Sequence, residues 1–318
     1  MQLPHLHTPQ LTVVIPSYNT AGLISRCLDS VFVQTYTDFE TIVVNDGSPD
    51  TVELEEALRP YSSRILYVEQ PNKGAASARN TAIQRGRGEF LAFLDSDDEW
   101  YPEHLSNQMK LFDDDPTLDL VYANSLIVTH EYEWPFMRSC PSQGEASFEA
   151  LVVERCQIPV STVVARKSAI VKAGLFDEDL KRCDDYDMWL RTAFHGARIA
   201  YTERVQARLA GSRPGSLGLS NAKMLKACWD ILEKTCRRLP LDNGQCALVR
   251  KRAEKIKALY CWEEGKLQLH QSQFDQARAS ISEANQFLRM PKLTLVLFGL
   301  KLAPRTTRSL ASYWAARR

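Results

Sequence analysis

The stretch Phe90 to Pro102 reads FLAFLDSDDEWYP, and the fold turns on how it is read. An apolar run, Phe90 to Leu94, leads straight into three carboxylates, Asp95, Asp97 and Asp98. The run predicts a buried strand. Carboxylates this close repel and raise each other's pKa, so their charge needs a compensating partner. Water is one candidate, and a divalent cation holding a polyphosphate is the other. Taken alone, the cluster reads equally well as the cap of a helix near Pro102.

Three earlier runs resemble this strand: LTVVIP (11–16), FETIVV (39–44) and RILYVE (64–69). Helix-like stretches lie between them. Residues 21–34 put Leu23, Ile24, Cys27, Leu28, Val31 and Phe32 on one face, and residues 74–87 are rich in Ala and Arg. Near-continuous apolar strands alternating with helices predict an α/β fold, a mostly parallel sheet with helices on both faces. Between 131 and 165 the pattern loosens around Pro135, Pro141, Gly144 and Pro159, which predicts a loop-rich crossover. A helix is expected over Asp184 to Phe194. GSRPGSLG (211–218) reads as a flexible loop, and helical patterns follow it. Within them, residues 260–284 read as a helical hairpin, weakly similar to a single tetratricopeptide unit. The expected organisation is a flexible tail at 1–10, a catalytic domain at 11–218, a helical domain at 219–290 and a basic amphipathic segment at 291–318.

With 44% hydrophobic and 25% charged residues, the composition is that of a globular protein with a sizeable core. Formal net charge is zero, so nothing draws the whole chain to nucleic acid. Residues 284–318, however, carry seven Lys or Arg and no acid, which leaves residues 1–283 at minus seven. Eight cysteines without a C-x-x-C pair read as reduced thiols of a cytoplasmic protein. MQLPHLHTPQ lacks the basic and apolar regions of a signal peptide, and no apolar run is long enough to span a bilayer.

Ligands of open α/β sheets bind beyond the carboxyl ends of the strands. Here IPSYN, VVNDGS and FLDSDD stand at three such ends. Each alone also reads as an ordinary turn. In order with NKGAASARN and FDEDLKRCDDYDMWLR, they resemble glycosyltransferase family 2 of the GT-A fold, over roughly residues 11–215. The resemblance implies a Rossmann-like fold and an inverting transfer from a nucleotide sugar, UDP-linked by family frequency, to an acceptor hydroxyl. A glycan or lipid-linked acceptor and a role in cell-surface glycan or polysaccharide synthesis go with it.

It also implies site roles. Pro16, Ser17, Tyr18 and Asn19 border the base and ribose, and Asp46 accepts from a ring N–H of the base. Gly74 lets the backbone approach the donor, and Arg79 offsets diphosphate charge. Asp95, Ser96 and Asp97 form the D-x-D. Asp97 holds Mn2+ or Mg2+, and Asp95 serves the ribose or the metal's shell. Asp98 is expected to cap the next helix. Asp185 is expected as the general base. Asp184 stands beside it in place of the family's Glu, and Asp187 orients the helix. For Asp184 and Asp185 the plain alternative is helix N-terminal charge. Trp189 reads as core more readily than as a sugar platform.

The chain departs from the family pattern in places. Asn45 stands where an Asp is frequent, and RLAGSRPGSLG lacks the His found near that point. Arg208 or Arg213 are the alternatives for the diphosphate. No Q-x-x-R-W motif follows, against a processive synthase. A non-catalytic nucleotide-sugar-binding or adaptor protein and a sugar nucleotidyltransferase are the rival readings. At the end, LTLVLFGLKLA (293–303) and PRTTRSLASYWAARR leave two readings open: a helix lying in an anionic membrane surface, or one packed on the protein or in a dimer.

Overall fold

The computed structural model describes residues 8–129, 131–139, 142, 146–211 and 221–307. The chain divides into two compact units, Met1–Arg213 and Pro214–Arg318. Residues 1–7 of the expected tail at 1–10, most of the expected loop at 211–218 with Arg213, and residues 308–318 of the expected basic segment lie outside the described residues.

The first unit is a nine-stranded mixed sheet. Its strands are β1 (Leu11–Ser17), β2 (Phe39–Asp46), β3 (Ile65–Gln70), β4 (Phe90–Phe93), β5 (Glu99–Trp100), β6 (Leu120–Val128), β7 (Glu133–Pro135), β8 (Val164–Arg166) and β9 (Ile199–Ala210). They run in the order β3-β2-β1-β4-β8-β6-β9-β5, with β7 paired to β6. The first four are mutually parallel. Leu11, Val13, Val14 and Ile15 of β1 and Ile42 to Val44 of β2 are fully buried. Burial on both faces explains why these strands read as unbroken apolar runs. The covering helices are α1 (Ile24–Phe32), α2 (Thr51–Leu58), α3 (Ala75–Arg85), α4 (His104–Asp114), α5 (Phe136–Ser139), α6 (Phe148–Val152), α7 (Lys167–Lys172) and α8 (Asp184–Phe194). Helix α1 buries Ile24, Cys27, Leu28 and Val31, one face of the pattern seen in the sequence.

The other half of the sheet was not apparent from the sequence. β8 is antiparallel to β4 and β6, and β6 runs parallel to β9. The expected crossover at 131–165 therefore contains β7, α5, α6 and β8. Polar residues interrupt these strands: β6 carries Asn124 and Ser125, where its register against β9 shifts. That breaks the apolar continuity which marked the first four strands.

The second unit is helical: α9 (Asn221–Arg238), α10 (Asn243–His270), α11 (Phe274–Leu288) and α12 (Pro291–Leu302). A reciprocal capping box opens α10, with Asp242 accepting from Gln245 N and Gln245 accepting from Asp242 N. The hairpin read over 260–284 is the α10–α11 pair. Its core joins Cys261, Leu269, Ala277, Ile281 and Ala284 to Leu293, Val296 and Leu300 of α12. Among the described residues no helix is long and apolar enough to cross a membrane.

Candidate active site

Parallel pairing brings three of the polar clusters to one rim. Ser17 lies opposite Asn45, Asp46 opposite Gln70 and Val14 opposite Phe93, so β1, β2 and β4 end together. Pro16 is half-buried and Ser17 buried, while Tyr18 is 50% exposed and Asn19 turns outward at φ 55°. Side chains lock this turn. The Ser17 and Thr20 hydroxyls are 2.9 Å apart, and Thr20 lies 2.9 Å from the Ser96 hydroxyl, so a buried hydroxyl chain ties the end of β1 to the D-x-D. Asn19 N donates to Ser48 Oγ and Ala21 N to Asp50 Oδ2. Asn45 makes the turn after β2, accepting from Ser48 N and donating to Thr51 and Tyr67.

Asp46 is 3% exposed. It accepts from Gln70 Nε2 at 2.8 Å, Lys73 N at 3.0 Å and Gly74 N at 2.7 Å. It therefore anchors the loop that enters α3. That loop needs glycines: its own Gly74 has φ +100°, and a Cβ on Gly47 of the turn after β2, itself at φ +61°, would lie 2.6 Å from Asn72 N.

Helix α3 then joins two distant motifs. Asn80 clamps the backbone of Phe176 from both sides, accepting from its N–H and donating to its carbonyl, each at 2.9 Å. Arg79 donates to Asp95 Oδ1 and Asp184 Oδ2, both at 2.6 Å. This corrects the expectation for Arg79. The guanidinium read as facing a diphosphate is 4% exposed and holds the D-x-D and the acidic pair of α8 together. Burial alone would lower its pKa, but Asp95, then Asp184 and Asp185, raise it, so it stays charged.

The three carboxylates of the opening stretch separate by environment. Asp98 is buried. It accepts from Ser161 Oγ at 2.5 Å and from Ala210 N at 2.7 Å. It does not cap α4, which follows Glu103; instead it ties β9 and the 160–162 turn to the rim. Burial, then the charges of Asp97 and Asp95, push its carboxyl well above the usual range. Buried Cys27 below the rim is pushed up by burial and by the same acids. Asp95 and Asp97 are half-buried and offer hard oxygen donors at the rim. These residues fit a divalent cation shared with phosphate oxygens. Among the described residues no group of three or more His, Cys, Asp or Glu could hold a metal on its own. Arg208, an alternative for the diphosphate, is paired with Glu133 at 2.6 Å.

At the start of α8, Asp184 is buried against Arg79, while Asp185 is half-buried with Oδ1 accepting from Tyr186 N at 2.8 Å. Burial and then Asp184 raise the Asp185 carboxyl, and Arg79 opposes them, leaving it at about 6. Asp187 is paired with Arg191 one turn on, both buried. Trp189 is 1% exposed and donates to Ile158 O, a core residue. Sequence reasoning missed Thr20, Asn80 and Ser161. Ser161 lies 66 residues from Asp95, whose N–H it accepts, in a stretch without any pattern.

The fold is of the GT-A type, with acidic residues gathered where the parallel strands end. Residues 12–165, just under half of the chain, match the model described as Glycosyl transferase family 2. An uncharacterized glycosyltransferase of Rickettsia prowazekii is 27% identical over 71% of this chain and 72% of its own length. The chondroitin synthase of Pasteurella multocida is 32% identical over 59% of this chain but only 19% of its own length. Among solved structures, S. aureus TarS 1–349 matches with a TM-score of 0.66 at 17% identity, covering 97% of this chain and 92% of that one. The mannosyltransferase PcManGT of Pyrobaculum calidifontis, solved with GDP-Man and Mn2+, matches at 0.62 and 21% identity, covering 98% and 86%.

Proposed function

We propose that the chain is an inverting, metal-dependent glycosyltransferase. It takes a sugar from a nucleotide-sugar donor, a UDP-sugar first, and passes it to a glycan or lipid-linked acceptor hydroxyl. The observation that carries this is the Arg79 bridge, which sets a carboxylate near pKa 6 beside the D-x-D rim. Asp185 accepts the proton of the acceptor hydroxyl. The freed oxygen attacks the anomeric carbon from the face opposite the nucleotide, and the bond to the diphosphate breaks, inverting that carbon. Ser17, Tyr18, Asn19 and Asp46 border the base and ribose, with Asp46 also fixing the loop at Gly74. Ser96 holds the D-x-D in register through Thr20. Asp97 and Asp95 would hold Mn2+ or Mg2+, which offsets the charge of the departing diphosphate.

The donor class draws support from TarS, also solved with UDP-GlcNAc, and from the GDP-Man complex of PcManGT. A role in polysaccharide synthesis draws on the chondroitin and hyaluronan synthases of Pasteurella multocida, of which this chain spans under a fifth. The test is a panel of nucleotide sugars scored for Mn2+-dependent release of nucleoside diphosphate, with Asp185→Asn alongside. Donor-specific release that collapses in the variant is expected. Donor binding without turnover in any metal, with or without glycan acceptors, would leave a nucleotide-sugar-binding protein instead.

A further inference from the structure

Helix α12 is apolar on both sides, and among the described residues only one side is packed into the helical core. Leu293, Val296 and Leu300 are buried in the helical core. Leu295, Phe298 and Leu302 are 64%, 63% and 66% exposed. Spaced three and four residues apart, they form one stripe along the helix. Lone exposed apolar side chains are ordinary, but a run of large ones on a single helix face marks a contact surface.

The surrounding charge identifies the contact. Lys292 and Lys301 lie within α12, Arg289 just before it and Arg305 just after. No acid occurs anywhere in 284–318, although the rest of the chain is net negative. A second copy seated on this stripe would bring the lysines of both helices together and repel. An anionic bilayer instead supplies the opposite charge and an apolar layer of matching depth. Basic residues beside exposed leucines and a phenylalanine suit a helix lying in the headgroup region. We propose that the outer face of α12 is a docking surface for an anionic lipid bilayer, with Leu295, Phe298 and Leu302 entering the interface and the flanking basic residues facing phosphate. This surface holds the catalytic unit at a membrane by tether and is independent of the reaction proposed above.

The test is co-sedimentation of the full chain with phosphatidylcholine vesicles, with and without phosphatidylglycerol, at low and high salt. Pelleting only with the anionic vesicles, and less at high salt, is expected. Leu295→Glu/Phe298→Glu should lower partitioning by at least about tenfold. Lys292→Glu/Lys301→Glu should do the same through charge alone. Both pairs lie outside the helical core, so circular dichroism and nucleotide-sugar hydrolysis should match the parent and show that the variants fold. The proposal fails if the parent ignores anionic vesicles at low salt, if it binds neutral vesicles equally, or if neither variant changes partitioning. It also fails if the parent is dimeric without lipid and Leu295→Glu/Phe298→Glu is monomeric, which would make the stripe an interface between copies.

Discussion

Asp95, Asp97 and Asp98 follow a strand, whereas Asp184, Asp185 and Asp187 open a helix. In each trio one carboxylate is an anchor: Asp98 on Ser161 and Ala210 N, Asp187 on Arg191. One of each grips Arg79: Asp95 and Asp184. The third of each, Asp97 and Asp185, is half-buried at the site. The difference lies in compensation. Asp98 is held by a hydroxyl and an amide, neither of them charged, and its pKa rises well above the usual range. The second trio has Arg191 and a helix N-terminus besides Arg79. The first thus suits a cation, and the second suits a carboxylate that takes up a proton near neutrality.

The largest expected effect separates the two trios by chemistry. Asp185→Asn keeps the shape and removes the basicity, so turnover should fall by roughly two to four orders of magnitude. Donor affinity, measured by calorimetry, should stay close to the parent's. If Asp184→Asn is the crippled variant and Asp185→Asn is not, the roles within the pair are exchanged.

Breaking the link between the trios comes next. Arg79→Ala leaves Asp95 and Asp184 without their shared cation and should cost about 3–5 kcal/mol in urea unfolding. Arg79→Lys keeps one charge but cannot fork to both acids, so it should recover only part of that stability. A loss within about 0.5 kcal/mol for Arg79→Ala, the range of an ordinary surface change, would mean that the bridge does not hold the two motifs together.

The metal assignment distinguishes the trios from the other side. Added Mn2+ or Mg2+ should tighten nucleoside diphosphate binding, and Asp97→Ala should remove at least roughly tenfold of that gain. Asp185→Asn should keep it. Equal nucleotide affinity with and without saturating metal would defeat the D-x-D assignment.

The smallest effect concerns pH. A base at about 6 puts an acid limb near that value in kcat/KM. The folded-state pKa is raised, so its stabilising contribution is present at low pH and lost as pH rises through about 6. Asp185→Asn should therefore stabilise the protein at about pH 8 and hardly at all at about pH 3. Thermal unfolding at the two pH values reads this, and equal shifts at both would show that Asp185 carries no raised pKa.

The first four strands, α1, α8 and the α10–α11 hairpin were readable because their residues obey a period that burial imposes. β6 and β9 were not, since Asn124, Ser125 and the polar residues of β9 break it. The motif residues were readable one by one, but their partners were not. Nothing in SARN says that Arg79 will meet Asp184, 105 positions away.

Sequence by itself determined the parallel α/β half, the resemblance to glycosyltransferase family 2 and the residue types that gather at the rim. These follow from local rules: apolar period, turn chemistry and the order of short motifs. Only the tertiary structure decided that Arg79 is a buried bridge, that Asp98 is an anchor and that one side of α12 is core while the other faces out. Each of those depends on which groups meet across the fold and how much water reaches them. A carboxylate becomes an anchor, a metal ligand or a base according to its burial and its neighbours' charges, and neither is written in the residue's own letter.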